Sequence, residues 1–258
     1  MTEDGCALLI ASCDAHRDLW PSCLTLYRRY WPDCPYPMHL ASDVRAVQDE
    51  RVRPLCAGPG LTWSEVMRSV LEPLEQEHVL LMLDDYFLAA RVDHGVLEAA
   101  RAELVRLGGA YLRLVPLPRP TRRVPGSHHL GEHEPGVPFR ASLQAAFWRR
   151  SALLDLLRPG ESPWDFERHG SRRSLALGLP FYSSRTHLIR YVGVLVQGQW
   201  SPEGIRHCRR EGLPIDFTVR PPLSPRIRLE RWRRYALLVA RGPMSWRLRR
   251  ALRQLAGR

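Results

Sequence analysis

The sequence predicts an α/β fold, a mostly parallel β-sheet flanked by helices, with basic helices at the C-terminal end. Three observations predict it. Short apolar runs recur along the chain, segments with helical spacing of apolar residues lie between them, and several runs stop at acidic residues. Strands that alternate with helices favour a parallel sheet with right-handed crossovers. At 258 residues the chain is long enough to bury a substantial core.

The chain opens with a predicted βα unit. Residues 7–11 form a continuous apolar run, typical of a strand buried on both faces, which stops at Ser12 and Asp14. Asp18 is the predicted cap of the following helix, with Pro21 in its first turn. Apolar side chains share one face of that helix: Trp20, Cys23, Leu24, Tyr27 and Trp31.

Two further short strands are predicted at residues 37–42 and 52–57, and the first of them ends at Asp43. Residues 62–65 have the spacing of a capping box, which predicts the start of a helix. Pro73 is expected to shorten that helix.

The next strand is predicted at residues 79–83 and is followed directly by Asp84 and Asp85. Asp93 is the predicted cap of a helix, after which residues 111–117 return as a strand. Beyond these, the pattern predicts a loop at 116–138 and a helix at about 142–157. The segment 161–167 and a short helix to Leu177 follow, and after them a strand at 191–197 and two basic amphipathic helices after residue 226.

The composition excludes several classes of protein. All 38 basic residues are arginine, which rules out Schiff-base chemistry and a phosphate-loop lysine. Residues 226–258 carry eleven arginines against Glu230, a net charge of +10, so only +1 of the total +11 belongs to the rest of the chain. The scattered cysteines without a CxxC pair, together with an N-terminus unlike a signal peptide, predict a cytoplasmic protein with reduced thiols. No apolar run approaches the ~20 residues of a membrane-spanning helix.

Acidic and small polar residues follow three predicted strands: Ser12 and Asp14, then Asp43, then Asp84 and Asp85. Ligands of parallel α/β sheets bind beyond the carboxyl ends of the strands, so these residues are candidates for one site. Adjacent carboxylates repel, and a divalent cation with a diphosphate would make both ionised forms tolerable. The alternative is ordinary turn and cap chemistry of aspartate.

Six short motifs occur together and in order. They are Ser12-Cys-Asp14, the aromatic-rich segment 18–35, Trp63-Ser64, Leu83-Asp-Asp-Tyr-Phe87, Ser142-Leu-Gln-Ala-Ala-Phe-Trp148 and Glu161-Ser-Pro-Trp-Asp-Phe-Glu167. The set resembles a family of small bacterial glycosyltransferases of the GT-A-like (Rossmann-like) kind, associated with surface polysaccharide or glycoconjugate assembly. The resemblance covers about residues 6–220.

The resemblance implies a glycosyltransferase domain at 1–220, with a donor half at about 1–115 and an acceptor half at about 139–220, followed by a basic tail at 221–258. The nucleotide-sugar donor would contact Ser12, Asp14, Asp43, Trp63, Asp84, Asp85 and Arg140. Within that set, Asp14 would lie near the nucleobase or ribose, Asp84 nearer the ribose, and Asp85 would bind a divalent cation, Mn or Mg. The chain departs from the common Asp-x-Asp form because its two carboxylates are adjacent, so a metal-independent reaction stays an alternative.

Inverting transfer to a hydroxyl group requires a carboxylate that takes the acceptor's proton. Because related transferases have an acidic motif in this region, Asp165 is the preferred catalytic base and Glu167 the second candidate. Trp164 is predicted to stack on an acceptor sugar, with Gln144 and Glu161 as further acceptor contacts. The alternative for this segment is a capped, ion-paired helix start.

The loop at 116–138 is predicted to be a mobile lid over the donor or acceptor; a metal site built on His128, His129 and His133 is less favoured because glycines and prolines surround them. The tail at 226–258 is predicted to bind an anionic membrane surface, which would place the protein on the inner face of the cell membrane beside a lipid-linked acceptor. The alternative is a helical pair packed on the body.

The predicted function is therefore transfer of a sugar, of the hexosyltransferase type, from a nucleotide sugar to a carbohydrate or lipid-linked acceptor. Two other classes fit less well. A nucleotidyltransferase usually needs a Gly-rich loop and a lysine near the first strand, and neither is present. A nucleic-acid-binding protein would match the basic tail, but the body is nearly neutral and carries no zinc-finger, RNA-recognition or KH motif.

Overall fold

The computed structural model describes residues 5–132 and 139–227. The chain divides into two compact units, Met1–Val192 and Gly193–Arg258. The two units therefore meet between Val192 and Gly193. The sequence analysis predicts the end of the transferase domain further along the chain, at residue 220.

The first unit holds most of the secondary structure. In chain order its elements are β1 (Cys6–Ala11), α1 (Trp20–Tyr30), β2 (Met38–Ser42), β3 (Val52–Cys56), α2 (Trp63–Leu71), β4 (His78–Leu83), β5 (Tyr86–Leu88), α3 (His94–Arg106), β6 (Tyr111–Arg113), β7 (Arg122–Arg123), β8 (Leu130–Glu132), β9 (Ala146–Arg149), α4 (Arg150–Leu156), α5 (Pro163–Asp165), α6 (Ser171–Arg173) and β10 (Phe181–Ser184). A 3-10 turn, Asp14–His16, follows β1, and a π turn, Phe166–Gly170, joins α5 to α6.

Strand β11 (Tyr191–Gly193) pairs with β5. The second unit contains the hairpin of β12 (Leu195–Val196) and β13 (Gln199–Trp200), followed by α7 (Pro202–Glu211).

Within the described residues, nine strands form the central sheet, in the order β3-β2-β1-β4-β9-β6-β10-β8-β7. The neighbours β3, β2, β1 and β4 are mutually parallel, as are β6 and β10. Strand β9 is antiparallel to both β4 and β6, and β8 is antiparallel to β10 and β7. Only β9 and β8 therefore oppose the other seven strands, which confirms the predicted mostly parallel α/β fold.

One hydrophobic core joins the sheet to α2 and α4. It includes Leu9 and Leu81 from neighbouring central strands and Leu71 and Leu153 from the two helices, all of them fully buried. Full burial of one such side chain contributes about 1.5–3 kcal/mol, so this layer makes a large contribution to holding the strand ends in register.

Two of the three predicted helix caps are confirmed. The amide of Thr62 donates to Glu65 Oε2 at 2.8 Å in the capping box of α2, and the amide of Val96 donates to Asp93 Oδ1 at 3.1 Å at the start of α3. The cap at Asp18 is wrong by one residue, because Leu19 occupies the N-cap position of α1.

The helix predicted at about 142–157 is wrong in its first half. Residues Ala146–Arg149 form the central strand β9, and helix α4 begins only at Arg150. A short run that is buried on both faces shows no alternation, so its periodicity does not separate a strand from a helix. Backbone pairing with the flanking strands, in which Ala146 is opposite Leu81 and Arg113, makes this segment a strand.

The predicted and observed bounds of several other elements differ as well. The strand predicted at 111–117 is only three residues long, and the one predicted at 191–197 is divided between β11 and β12. The 116–138 loop contributes β7 and β8 to the sheet edge. Residues 133–138 of the proposed lid, and the tail from residue 228, lie outside the described residues.

None of the helices in the described part of the chain combines the length and apolar character needed to cross a bilayer. All six cysteines fall within the described ranges, and all are free thiols.

Candidate functional site

The carboxyl ends of β1, β2 and β4 lie side by side at one edge of the sheet. Ala11, the last residue of β1, is opposite Ala41 in β2 and Leu83 in β4. The polar residues that follow these strands are therefore brought together, as the sequence predicts: Ser12, Asp14, Asp43, Asp84 and Asp85.

Asp84 is the buried member of the acidic pair, with 3% exposure. Its carboxylate accepts a hydrogen bond from the Ser12 hydroxyl and lies 3.1 Å from Nδ1 of His16. The Trp20 indole in turn donates to Ser12 Oγ at 2.7 Å. The Asp84 carboxylate is thus used inside the protein, where it ties the turn after β1 to the end of β4.

His16 is a member of the site that the sequence analysis missed. It ends the 3-10 turn Asp14–His16, and its partner Asp84 is 68 residues away along the chain. The only sequence sign is a histidine two residues after Asp14 at a strand end, which is too weak to single it out.

Asp14 and Asp43 join the ends of β1 and β2. Asp14 Oδ1 accepts the amides of Val44 and Arg45 at 3.2 and 3.1 Å, and Asp43 Oδ2 accepts the amide of Asp14 at 2.9 Å. These bonds fix the spacing of the two loops. Contact of either aspartate with a nucleotide stays a prediction.

Asp85 is half-buried and lies beside a pair of aromatic rings. The next residue, Tyr86, stacks on Tyr191 with ring centroids 4.3 Å apart. Burial raises the pKa of both phenols, and the Asp85 charge adds to the rise. The side chains of Tyr86 and Tyr191 therefore form an aromatic, uncharged surface next to Asp85.

The donor set of the site fits a cation only if a ligand supplies further oxygens. Within the described ranges no three His, Cys, Asp or Glu side chains are grouped so that they could hold a metal ion. Mg²⁺ commonly takes one or two carboxylates and completes its shell with water and substrate phosphates. Asp85 fits that mode, whereas Asp84 is engaged by Ser12 and His16. The alternative histidine site includes His133, which lies outside the described residues.

Glu167 belongs to the π turn after α5 and is the second partly buried carboxyl group of the site. Its Oε1 accepts the amide of Leu143 at 2.8 Å. Burial raises the pKa of Glu167, against the opposing effects of that amide and of the Arg113 charge. Leu143 lies three residues before Ala146, which is opposite Leu81, so Glu167 is bonded to the chain beside the end of β4.

Asp165, the base preferred from the sequence, forms hydrogen bonds and an ion pair with residues of its own segment. Its Oδ2 accepts the Ser162 amide and hydroxyl at 3.3 and 2.6 Å, and its Oδ1 lies 2.7 Å from an Arg168 nitrogen. The Ser162 hydroxyl, with the Ser162 amide and Arg168, lowers the pKa of Asp165. This is the capped, ion-paired helix start named above as the alternative, and a catalytic role for Asp165 stays a prediction.

Glu161 and Trp164 lie in the same segment in different surroundings. Glu161 pairs with Arg173 at 2.6 Å and with His169 at 3.2 Å, and its backbone is bonded to Ser64 at the start of α2. Trp164 is 66% exposed. Of the two, Trp164 has the surface that an acceptor sugar could contact.

Arg140 and Trp63, predicted to contact the donor, are packed into the protein. The Arg140 guanidinium donates to the Ser174 carbonyl at 3.0 Å and the Leu179 carbonyl at 3.2 Å, and lies 4.3 Å from the centre of the Phe181 ring. The ring of Trp63 packs on Phe166 at 5.2 Å. These contacts give both residues a structural role, and their contact with a diphosphate or nucleotide stays a prediction.

Gln144 lies at the carboxyl edge of the sheet, two residues before β9. Because β9 is antiparallel to β4, with Ala146 opposite Leu81, the chain at Gln144 runs beside the end of β4. Its Oε1 is buried and accepts no hydrogen bond from the described residues. Gln144 is therefore placed close to the acidic pair, which agrees with a role in substrate contact without establishing one.

No family model and no curated protein matches the chain. Among solved structures, S. aureus TarS 1–349 matches 72% of this chain with 15% identity and a TM-score of 0.47. The same fragment in complex with UDP gives 14% identity and a TM-score of 0.47, and S. aureus TarS gives 14% and 0.45 over 69% of this chain. The chain spans 59% of the length of the TarS fragment and 34% of TarS. Similarity at this level supports no conclusion about function.

Proposed function

We propose that this chain is a glycosyltransferase that moves a sugar from a nucleotide-sugar donor to a hydroxyl group of a carbohydrate or lipid-linked acceptor. The observation that carries the proposal is that two carboxyl groups lie at one edge of the sheet. Asp85 follows β4, and Glu167 Oε1 accepts the amide of Leu143, where the chain runs beside the end of β4. Glycosyl transfer to a hydroxyl group requires charge compensation at the leaving diphosphate and a base for the acceptor proton. In the proposal, Asp85 supplies the charge compensation and Glu167 supplies the base.

In this proposal the nucleotide binds over the ends of β1, β2 and β4, which is where open α/β sheets bind ligands. The turn held by Asp14 and Asp43 faces the nucleoside, and Asp85 faces the diphosphate. Asp85 would hold Mn or Mg together with the phosphate oxygens, and the bound cation would neutralise charge that develops on the leaving group.

We assign the base to Glu167 rather than Asp165. A base works best when its pKa lies near the pH of the reaction. Burial moves the pKa of Glu167 in that direction, whereas the hydrogen bonds from Ser162 move the pKa of Asp165 away from it. In an inverting displacement the acceptor oxygen bonds to the anomeric carbon, the bond to the diphosphate breaks, and the hydroxyl proton passes to Glu167.

The acceptor side is proposed to include Trp164, whose exposed ring offers a face for stacking, and Gln144 beside the end of β4. A lipid-linked acceptor would give the basic tail at 226–258 a reason to bind an anionic membrane. Sedimentation with anionic liposomes tests this part of the proposal, by comparing the full chain with a chain that ends at about residue 225. Equal sedimentation of the two chains would argue against membrane binding by the tail.

The proposal is tested by thermal unfolding with a panel of nucleoside diphosphates and nucleotide sugars, with Mg²⁺, with Mn²⁺ and with a chelator. We expect at least one nucleotide to raise the melting temperature, and Asp85→Asn to reduce that shift. Asp33→Asn is the matched control, because Asp33 is an exposed aspartate whose partner is Arg91. The proposal loses its support if no nucleotide stabilises the protein under any of these conditions.

A further inference from the structure

Arg113 is a fully buried arginine in the central strand β6. Its Nε donates to Ser183 Oγ at 3.3 Å, and its Nη1 donates to the carbonyl of Phe139 at 3.2 Å. Removal of a guanidinium from water is unfavourable, so a buried arginine is expected where its charge or its hydrogen bonds have a specific use.

The segment from Phe139 to Leu143 connects Arg113 to Glu167. Phe139 has φ of 62°, in the left-handed region that non-glycine residues seldom adopt. Arg113 holds the carbonyl at this end, and Glu167 Oε1 holds the amide of Leu143 at the other end, at 2.8 Å. Between them, the Tyr111 hydroxyl lies 3.2 Å from Ser142 Oγ. A buried cation and a largely buried carboxyl group thus bracket five residues of chain.

Charged groups within the described residues act on Glu167 and on two tyrosines. Burial raises the pKa of Glu167, whereas the hydrogen bond from the Leu143 amide and, after it, the charge of Arg113 lower it. Burial also raises the pKa of Tyr111 and Tyr86; Arg113 opposes the rise at Tyr111, Glu167 adds to it at both phenols, and Asp85 adds to it at Tyr86. Among the described residues, Arg113 is thus a cation that opposes the effect of burial on Glu167.

We propose that Arg113 is a positioning residue for Glu167: by holding the Phe139 carbonyl it fixes the far end of the segment that Glu167 holds, and its positive charge helps to orient the Glu167 carboxylate. The step in which Glu167 takes the acceptor proton rests on the proposed function. The coupling between Arg113 and Glu167 is independent of the proposed function.

The test follows the Glu167 carboxyl carbon by ¹³C NMR against pH in the full chain, with the signal assigned by its loss in Glu167→Gln. In Arg113→Met we expect the titration midpoint to rise by about one pH unit or more, because the favourable cation is gone. The matched control is Arg150→Met, which removes a partly buried arginine that lies outside this segment and donates to the carbonyls of Gln76 and Leu71; its midpoint should stay at the wild-type value. A folded Arg113→Met protein with an unchanged midpoint would overturn the proposal.

A second measurement does not depend on the folding of Arg113→Met. In the wild-type protein, the Arg113 Nε–H signal should shift with the same midpoint as Glu167, and this pH dependence should vanish in Glu167→Gln. A signal that stays constant while Glu167 titrates would contradict the coupling. If the protein shows no transfer with any donor but both signals titrate together, the transferase proposal fails and the coupling of Arg113 to Glu167 stands.

Discussion

Nδ1 of His16 lies 3.1 Å from both carboxylate oxygens of Asp84. The same carboxylate accepts the Ser12 hydroxyl, so the buried aspartate joins the turn after β1 to the end of β4. Its neighbour Asp85 lies at the half-buried position next to the Tyr86 ring. Two adjacent aspartates therefore have different surroundings, and this separates their expected roles.

Asp84→Asn should lower the free energy of unfolding by about 1–3 kcal/mol, because a buried charged acceptor of hydrogen bonds is lost. Asp85→Asn should cost less stability and should abolish transfer. Urea unfolding and a transfer assay on the two variants test this difference. An Asp85 variant that is as unstable as the Asp84 variant, or one that stays active, would contradict the assignment of roles.

Glu167→Gln should reduce kcat by about 10²–10⁴-fold while nucleotide binding is retained, since only the base is removed. Asp165→Asn should lower the melting temperature by about 2–4 °C through the weakened cap and leave most of the activity. Steady-state kinetics and thermal unfolding separate the two effects. Loss of activity in Asp165→Asn alone would return the base to Asp165.

The pH dependence of the reaction should reflect the raised pKa of Glu167. The base must be ionised, so kcat/KM should fall as the pH drops through a value above the ordinary 4.5 of glutamate. For stability the sign is the opposite: a raised pKa gives Glu167 a stabilising contribution below pH 4.5 that is lost as the pH rises through the folded-state value. Unfolding of wild type and Glu167→Gln across pH 4–8 measures this, and parallel curves would argue against a raised pKa.

Glu161 should show the reverse dependence. Burial acts to raise its pKa, but the hydrogen bonds and charges of Arg173 and His169 outweigh burial and lower it. The pairing therefore stabilises the fold above the ordinary value of 4.5 and is lost as the pH falls through the folded-state value. Glu161→Gln should cost about 2 kcal/mol at pH 7 and progressively less as the pH falls below 4.5, as measured by urea unfolding. A cost that is the same at both pH values would contradict an ionised pair.

Trp164→Ala should leave stability within about 0.5 kcal/mol, because the side chain is 66% exposed. The loss of a stacking surface should raise KM for the acceptor several-fold with little change in KM for the donor. Leu175→Ala, another exposed apolar position at 43%, is the control for a general surface effect. An unchanged acceptor KM in Trp164→Ala would remove this residue from the acceptor site.

Local signals account for most of the donor half. The apolar runs before Ser12, Asp43 and Asp84 lack alternation because their strands are buried on both faces, and each run is bounded by a polar residue. The capping boxes and caps at Thr62 and Asp93 are formed within a few residues of chain, so they are readable from sequence.

The acceptor half was less predictable because its decisive contacts are non-local. Ala146 to Arg149 have the composition of a buried helix, and only their position between β4 and β6 makes them a strand. Asp165 and Glu167 are two residues apart and chemically alike. Their difference arises from Ser162 and Arg168 around the first and from Leu143 and burial around the second.

The sequence by itself determined the α/β class, the acidic ends of the parallel strands and the capped helices, because those features follow from residue order over short spans. The tertiary structure alone decided which carboxylates are engaged. Asp84 meets His16, and Glu167 shares a segment with Arg113, through contacts between residues far apart in the chain. Burial and charge at such contacts depend on the packed sheet, and no local pattern of residues encodes them.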